Sequence, residues 1–174
     1  MPAVFIGFGE MTIIELNSFP RERFVEQLGG IFEHSPWVAE RAWAARPFAG
    51  LDELYAAMVA QVEAATPEEQ LALLRAHPDL GTRARMSIAS TGEQTRAGLA
   101  SLTPDELKRL EQLNTVYRTR FKFPFIYAVK GATKENIVHA LKARLTSSPD
   151  EEFREALKQV YRIARFRLED ACRA

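Results

Sequence analysis

The sequence of 174 residues contains a single cysteine, Cys172, which excludes an internal disulfide and leads us to expect a reducing compartment. It has three histidines, His34, His77 and His139, and no two of them stand at a ligand spacing such as HxxxH or HxH. With one thiol besides, no metal site is expected. Charge of either sign is not in excess: 23 Lys and Arg balance 23 Asp and Glu. A protein that grips a phosphate backbone needs a basic face, so no nucleic-acid partner is expected. Arg83, Arg85, Arg96, Arg118, Arg120 and Lys122 are interspersed with acids and read as solvated surface. No apolar run approaches the roughly 20 residues that span a bilayer, so no membrane role is expected. Strand signals are scarce too. Ile126-Tyr127-Ala128-Val129 is the only internal strand-like run and is too short to build a sheet. Repeats, linkers and low-complexity segments are absent.

What the chain does have is an ordinary globular composition, 47% hydrophobic and 26% charged, enough apolar surface to offset the entropy of ordering one domain. Helix starts recur. Ser35-Pro36, Thr66-Pro67, Thr103-Pro104 and Ser148-Pro149 each place a capping hydroxyl before a proline whose missing N–H costs nothing in the first turn. Glu69 and Glu106 complete capping boxes with Thr66 and Thr103. The expected helices are Pro20–Leu28, Pro36–Ala45, Leu51–Ala65, Pro67–Ala76, Thr91–Ala100, Pro104–Phe121, Lys134–Leu145 and Pro149–Ala171. Leu107, Leu110, Leu113, Asn114 and Tyr117 share a helical spacing within one of them. The architecture expected is all-α, a single-domain helical bundle of about eight helices over residues 11–174. Residues 1–10 form an extra N-terminal tail, either disordered or a strand laid on the domain. Val4–Phe8 is apolar but follows no basic start, so it does not read as a secretory signal.

Polar chemistry concentrates between the helices. Pro78 biases His77 away from helical angles, so a helix stops there and a turn sets the imidazole, a group able to move protons near neutral pH. Alone, the motif reads first as a helix stop, with Asp79 making a turn hydrogen bond. Glu93 follows Ser90 at capping-box spacing and in isolation reads as a cap. With Gly92 and Gln94 beside it, the segment also offers acceptors, amide donors and close backbone approach to a urea-like ligand. Arg167 falls within the apolar stripe of the last helix (Phe153, Ala156, Leu157, Val160, Ile163, Ala164, Leu168), roughly 20° from Val160 at about 100° per residue. An inward arginine needs an anionic partner: a structural one such as Glu93 or Asp79, or a substrate carboxylate. Arg165 points to the opposite face and reads as solvated. Phe123-Pro124-Phe125 reads first as core, and otherwise as a pocket wall with backbone amides from Ile126 and Tyr127. Trp37 and Trp43 read as core.

The run Arg75-Ala76-His77-Pro78-Asp79-Leu80-Gly81, then Ser90-Thr91-Gly92-Glu93-Gln94, Leu113-Asn114, Phe121-Lys122-Phe123-Pro124-Phe125-Ile126 and Ile163-Ala164-Arg165-Phe166-Arg167-Leu168 resembles, in order and spacing, the OHCU decarboxylases. Leu16-Asn17 and Ser35-Pro36-Trp37-Val38 resemble that family as well. OHCU is 2-oxo-4-hydroxy-4-carboxy-5-ureidoimidazoline, an intermediate of urate breakdown. The resemblance runs from Met11 to Asp170. It implies an all-α enzyme without cofactor that converts OHCU to (S)-allantoin and carbon dioxide. It implies catalytic roles for His77, Glu93 and Arg167. It also implies substrate contacts from Pro78, Ser90, Gln94, Phe123, Pro124, Phe125, Ile126 and Tyr127. The implied small-molecule partner is OHCU, with urate oxidase and hydroxyisourate hydrolase as pathway neighbours, and a homodimer is left open. The chain ends Cys172-Arg173-Ala174 rather than in a peroxisomal tripeptide, so a cytoplasmic location is expected. Two other classes compete: a helical interaction module without chemistry, and a ureide-binding protein or enzyme acting on allantoin or allantoate.

Overall fold

The computed structural model describes residues 11–89 and 98–173. The expected tail 1–10 and all of the expected helix Thr91–Ala100 before Gly98 lie outside the described residues. Among those described, nine α-helices account for nearly all regular structure. They are α1 (Ile13–Ser18), α2 (Arg21–Leu28), α3 (Trp37–Ala42), α4 (Leu51–Glu63), α5 (Pro67–Ala76), α6 (Leu80–Ala89), α7 (Pro104–Phe121), α8 (Lys134–Arg144) and α9 (Pro149–Ala171). Short 3-10 turns at Trp43–Ala45 and Leu99–Ser101 complete the helical content. Two-residue strands β1 (Met11–Thr12) and β2 (Cys172–Arg173) pair in parallel, Met11 opposite Cys172. The all-α expectation holds. Ile126–Val129 forms no strand. No helix is long and apolar enough to cross a membrane among the described residues.

The helix starts follow from their caps. At α5 the Thr66 hydroxyl accepts the Glu69 N–H at 3.2 Å and the Glu69 carboxylate accepts the Thr66 N–H at 3.0 Å. The same reciprocal pair opens α7 at Thr103 and Glu106, and Ser148 with Glu151 does so for α9. Ser35-Pro36 departs from the expectation. Its hydroxyl donates to the Glu33 carbonyl at 2.9 Å and caps nothing, so α3 opens without a side-chain cap. Two helices went unread in the sequence. Helix α1 carries a full box between Thr12 and Glu15. Helix α6 is capped by Asp79, whose carboxylate accepts the Thr82 N–H at 3.0 Å.

The chain divides into two compact units, one running through Gln70 and resuming at Tyr161, the other Leu71–Val160. The first buries Leu16, Phe24, Leu28, Phe32, Leu54, Met58 and Leu168. There Arg165 keeps to the surface, its side chain 32% exposed, where it lies over the Tyr55 ring and donates to Asp52 at 2.6 Å and Glu169 at 2.8 Å. Cys172 is buried in the same unit, and that burial pushes its thiol up to about 11. At pH 8 only about one thiol in a thousand would then be ionised, and the thiolate is the reactive form. Alkylation of the native protein by iodoacetamide should therefore be far slower than alkylation in denaturant; equal rates, followed by mass spectrometry, would contradict the burial.

The second unit buries Leu73, Leu74, Leu110, Tyr117, Phe121, Phe123 and Phe125. Lys122 ends α7 in the left-handed region (φ 67°), its N–H bonded to the Arg118 carbonyl at 2.9 Å, and its own carbonyl accepts from Arg75 Nε at 3.0 Å. That sharp stop turns the chain straight into Phe123–Val129. At Gly98 φ is +71°, and an added Cβ would fall against the backbone of Lys134 and within 2.8 Å of the Thr133 carbonyl carbon. Gly98→Ala combines αL strain with a backbone clash, so we expect a loss of about 2–4 kcal/mol in denaturant unfolding. A loss below about 0.5 kcal/mol, the ordinary surface level, would contradict this packing.

Candidate active site

His77 follows the last residue of α5 and is 6% exposed. Its N–H bonds to the Leu74 carbonyl at 3.3 Å, and ring Nδ1 lies 2.9 Å from the Leu73 carbonyl oxygen. A carbonyl oxygen can only accept, so Nδ1 carries the proton in this contact. That bond to the helix end fixes the orientation of the imidazole, a group able to move protons near neutral pH. The expected helix stop and the expected turn bond of Asp79 are both present. In addition, Asp79 receives Arg118 Nη1 at 3.4 Å, a surface pair of small energetic weight.

Beside this turn, α6 and α7 form the walls of a cleft of about 410 Å³ lined by Asp79, Gly81, Thr82, Arg85, Glu111, Asn114, Thr115, Arg118 and Pro124. Arg85 pairs with Glu111 across it. Pro124 thus faces the cleft, whereas its neighbours turn away. Phe123 and Phe125 are buried and meet the Tyr117 ring edge-on, with centroids 5.9 Å and 5.2 Å apart. Ile126 is buried and Tyr127 half-buried, its ring stacked on Phe125 at 6.1 Å.

The Phe123–Val129 segment has no ladder of its own, and buried polar groups satisfy it instead. Arg144 Nη1 donates to the Ile126 carbonyl at 2.6 Å, and Gln159 Oε1 accepts the Ala128 N–H at 3.0 Å. Arg144 Nε donates to Glu152 Oε1 at 2.6 Å, and the Tyr117 hydroxyl donates to the same oxygen at 2.5 Å. Glu152 is fully buried and Arg144 9% exposed. Burial first, and the bond to the Glu152 carboxylate second, push the Tyr117 phenol well above its ordinary value. It therefore remains a donor.

Arg167 belongs to the other unit. Its Nη2 donates to the Glu33 carboxylate at 2.6 Å and its Nη1 to the Ile31 and Gly30 carbonyls at 3.2 Å and 3.3 Å. The anionic partner that its helix position demanded is thus Glu33, rather than Asp79. Ser90, Glu93 and Gln94 lie outside the described residues. Among the described residues there is no group of three or more His, Cys, Asp or Glu placed to hold a metal ion. Sequence reasoning left Arg144, Glu152 and Gln159 unassigned. Asn114 had a signal, as the one polar residue in the apolar stripe of α7.

The sequence model of the OHCU decarboxylase family matches residues 17–169. The chain belongs to the OHCU decarboxylase family. Among its relatives, the 2-oxo-4-hydroxy-4-carboxy-5-ureidoimidazoline decarboxylase of Haloferax volcanii is 48% identical over 91% of this chain and 95% of its own length. The uric acid degradation bifunctional protein PucL of Bacillus subtilis is 49% identical, and this chain spans 32% of its length. A crystal structure of (S)-allantoin synthase superposes with a TM-score of 0.76 at 38% identity, covering 93% of this chain and 54% of that one. Within the OHCU decarboxylase family, then, this chain has the extent of the stand-alone decarboxylase and of one part of the bifunctional proteins.

Proposed function

We propose that the protein decarboxylates OHCU to (S)-allantoin in the breakdown of urate, in the cytoplasm, with His77 as the proton-transferring residue. The family membership supports the reaction. The observation that supports the residue is the buried imidazole, held at the end of α5 by the bond of its Nδ1–H to the Leu73 carbonyl.

The substrate's own structure makes a cofactor unnecessary. When the bond to the carboxylate carbon breaks, its electron pair needs an acceptor. OHCU has a carbon–nitrogen double bond next to the carboxylated carbon. The pair released with carbon dioxide forms a carbon–carbon double bond, the former C=N pair moves to nitrogen, and nitrogen takes a proton. The enol left behind loses its hydroxyl proton and gains one on the neighbouring carbon. Delivery of that last proton to one face makes a single enantiomer. A donor fixed by a helix end can discriminate between the faces, whereas free water cannot.

In this reading Glu93 and Gln94 orient the ureido arm, Ser90, Pro78 and Pro124 line the site, and Arg167 keeps the role of an anion-binding guanidinium, held by Glu33. The upstream reactions are oxidation of urate and hydrolysis of hydroxyisourate. The test generates OHCU in situ from urate with those two activities and follows circular dichroism after this protein is added. Rapid growth of the (S)-allantoin signal is expected. Slow, racemic product at the rate of the enzyme-free control would overturn the proposal.

A further inference from the structure

Asn114 stands in the buried stripe of α7 between Leu110 and Tyr117, and is itself 7% exposed. Among the described residues, neither Oδ1 nor Nδ2 of its carboxamide has a hydrogen-bond partner. Leaving a buried donor and acceptor both unmade is costly, and native proteins rarely tolerate it without a use. An apolar residue would continue the stripe at no such penalty. The orphaned amide is buried, and Asn114 lies in the wall of the cleft of about 410 Å³ with Asp79, Gly81, Thr82, Arg118 and Pro124. A volume of that order suits a small organic ligand. Gly81 keeps the approach open. A Cβ there would come within 3.6 Å of Asn114 Nδ2 and 3.1 Å of the Glu111 side chain.

A primary amide presents one donor and one acceptor side by side in a plane. Its complement is a group with the same pair in reverse order, as in a urea or another amide. The cleft rim carries Arg85 and Arg118 with their acids, so charged groups are already paired there. We propose that Asn114 is a substrate-binding residue that holds the ureido group of its ligand through two hydrogen bonds in this cleft. The inference rests on the decarboxylase reading for the identity of the substrate, and adds a residue and a subsite to it.

The test replaces Asn114 with leucine, of similar volume and without polar atoms. Removing an unsatisfied amide should leave the melting temperature unchanged or raise it by about 2–4 °C. KM for OHCU should rise at least tenfold, with a smaller change in kcat. A folded Asn114→Leu variant with wild-type KM would overturn the proposal. If that variant does not fold, Asn114→Asp keeps the shape and loses the donor, and the same rise in KM is expected; a wild-type KM there is equally fatal. A second readout is independent of turnover: titration of the wild-type protein with (S)-allantoin, a ureide, followed by the side-chain amide resonance of Asn114. A shift of that resonance supports ureide pairing even if the protein fails to decarboxylate OHCU, and a resonance unmoved at millimolar allantoin overturns it. Failure of the decarboxylase reading would show instead as a wild-type protein without turnover.

Discussion

His77→Ala should lower the rate of (S)-allantoin formation by roughly 10²–10⁴-fold, the usual loss when a positioned acid or base is removed. The reasoning is geometric. The Leu73 carbonyl accepts the bond from Nδ1–H, which holds the imidazole at a fixed place and angle at the end of α5. The replacement also forfeits that bond, worth about 1 kcal/mol, so a modest drop in melting temperature should accompany the loss of rate. Turnover measured well below the melting temperature separates the two effects. Near wild-type turnover in a folded variant would remove His77 from the mechanism. His77→Gln is the companion variant: it fills part of the space and can still donate to the carbonyl, but it cannot shuttle a proton at neutral pH. It should recover stability without recovering rate.

The largest effect on stability should come from Arg144→Met. Glu152 is fully buried, and its one bonded oxygen receives both Arg144 and Tyr117. Its other oxygen has no hydrogen-bond partner among the described residues. Without the guanidinium the carboxylate is left charged in the core with a single phenol, a situation that costs about 3–5 kcal/mol. At about 2–4 °C per kcal/mol for a chain of this size, the melting temperature should fall by about 6–20 °C. The double variant Arg144→Met, Glu152→Leu removes both charges and should regain most of the loss, since apolar replacement of a buried pair is often neutral. A double variant no more stable than the single one would show that packing around Arg144, rather than the stranded carboxylate, carries the cost. The single variant should also loosen the Ile126 carbonyl, and with it the segment that places Pro124 at the cleft.

These two residues show what the sequence could and could not reveal. Chemistry written in local spacing was legible: the boxes at Thr66 and Thr103, and the stop at His77-Pro78. Helix α6 was not, because Pro78-Asp79-Leu80-Gly81 has the composition of a turn and Gly81 weakens a first turn. The structure makes Asp79 the cap of that turn and carries the helix on to Ala89. Helix α1 was hidden by its length of six residues, although its capping box was present in Thr12 and Glu15. The arginines are the sharper lesson. Periodicity pointed to Arg167, correctly in demanding an acid for it, but its partner Glu33 lies 134 positions away. Arg144 is more deeply buried, yet it ends a helix where a basic residue is ordinary. Its hydrogen-bond partners are Glu152 of α9 and the Ile126 carbonyl, a convergence that no spacing rule encodes.

The parallel pairing of β1 with β2 has a consequence for how this fold can be used. Met11 and Cys172 are register partners, so the first and the last regular elements among the described residues are neighbours a strand's width apart. A module whose entry and exit coincide can be spliced into a surface loop of a host or strung beside another catalyst without stretching either one. It can also be closed into a circle with a short linker and reopened elsewhere. For one step of a degradative sequence, being easy to tether next to its supplier is an advantage of the architecture itself.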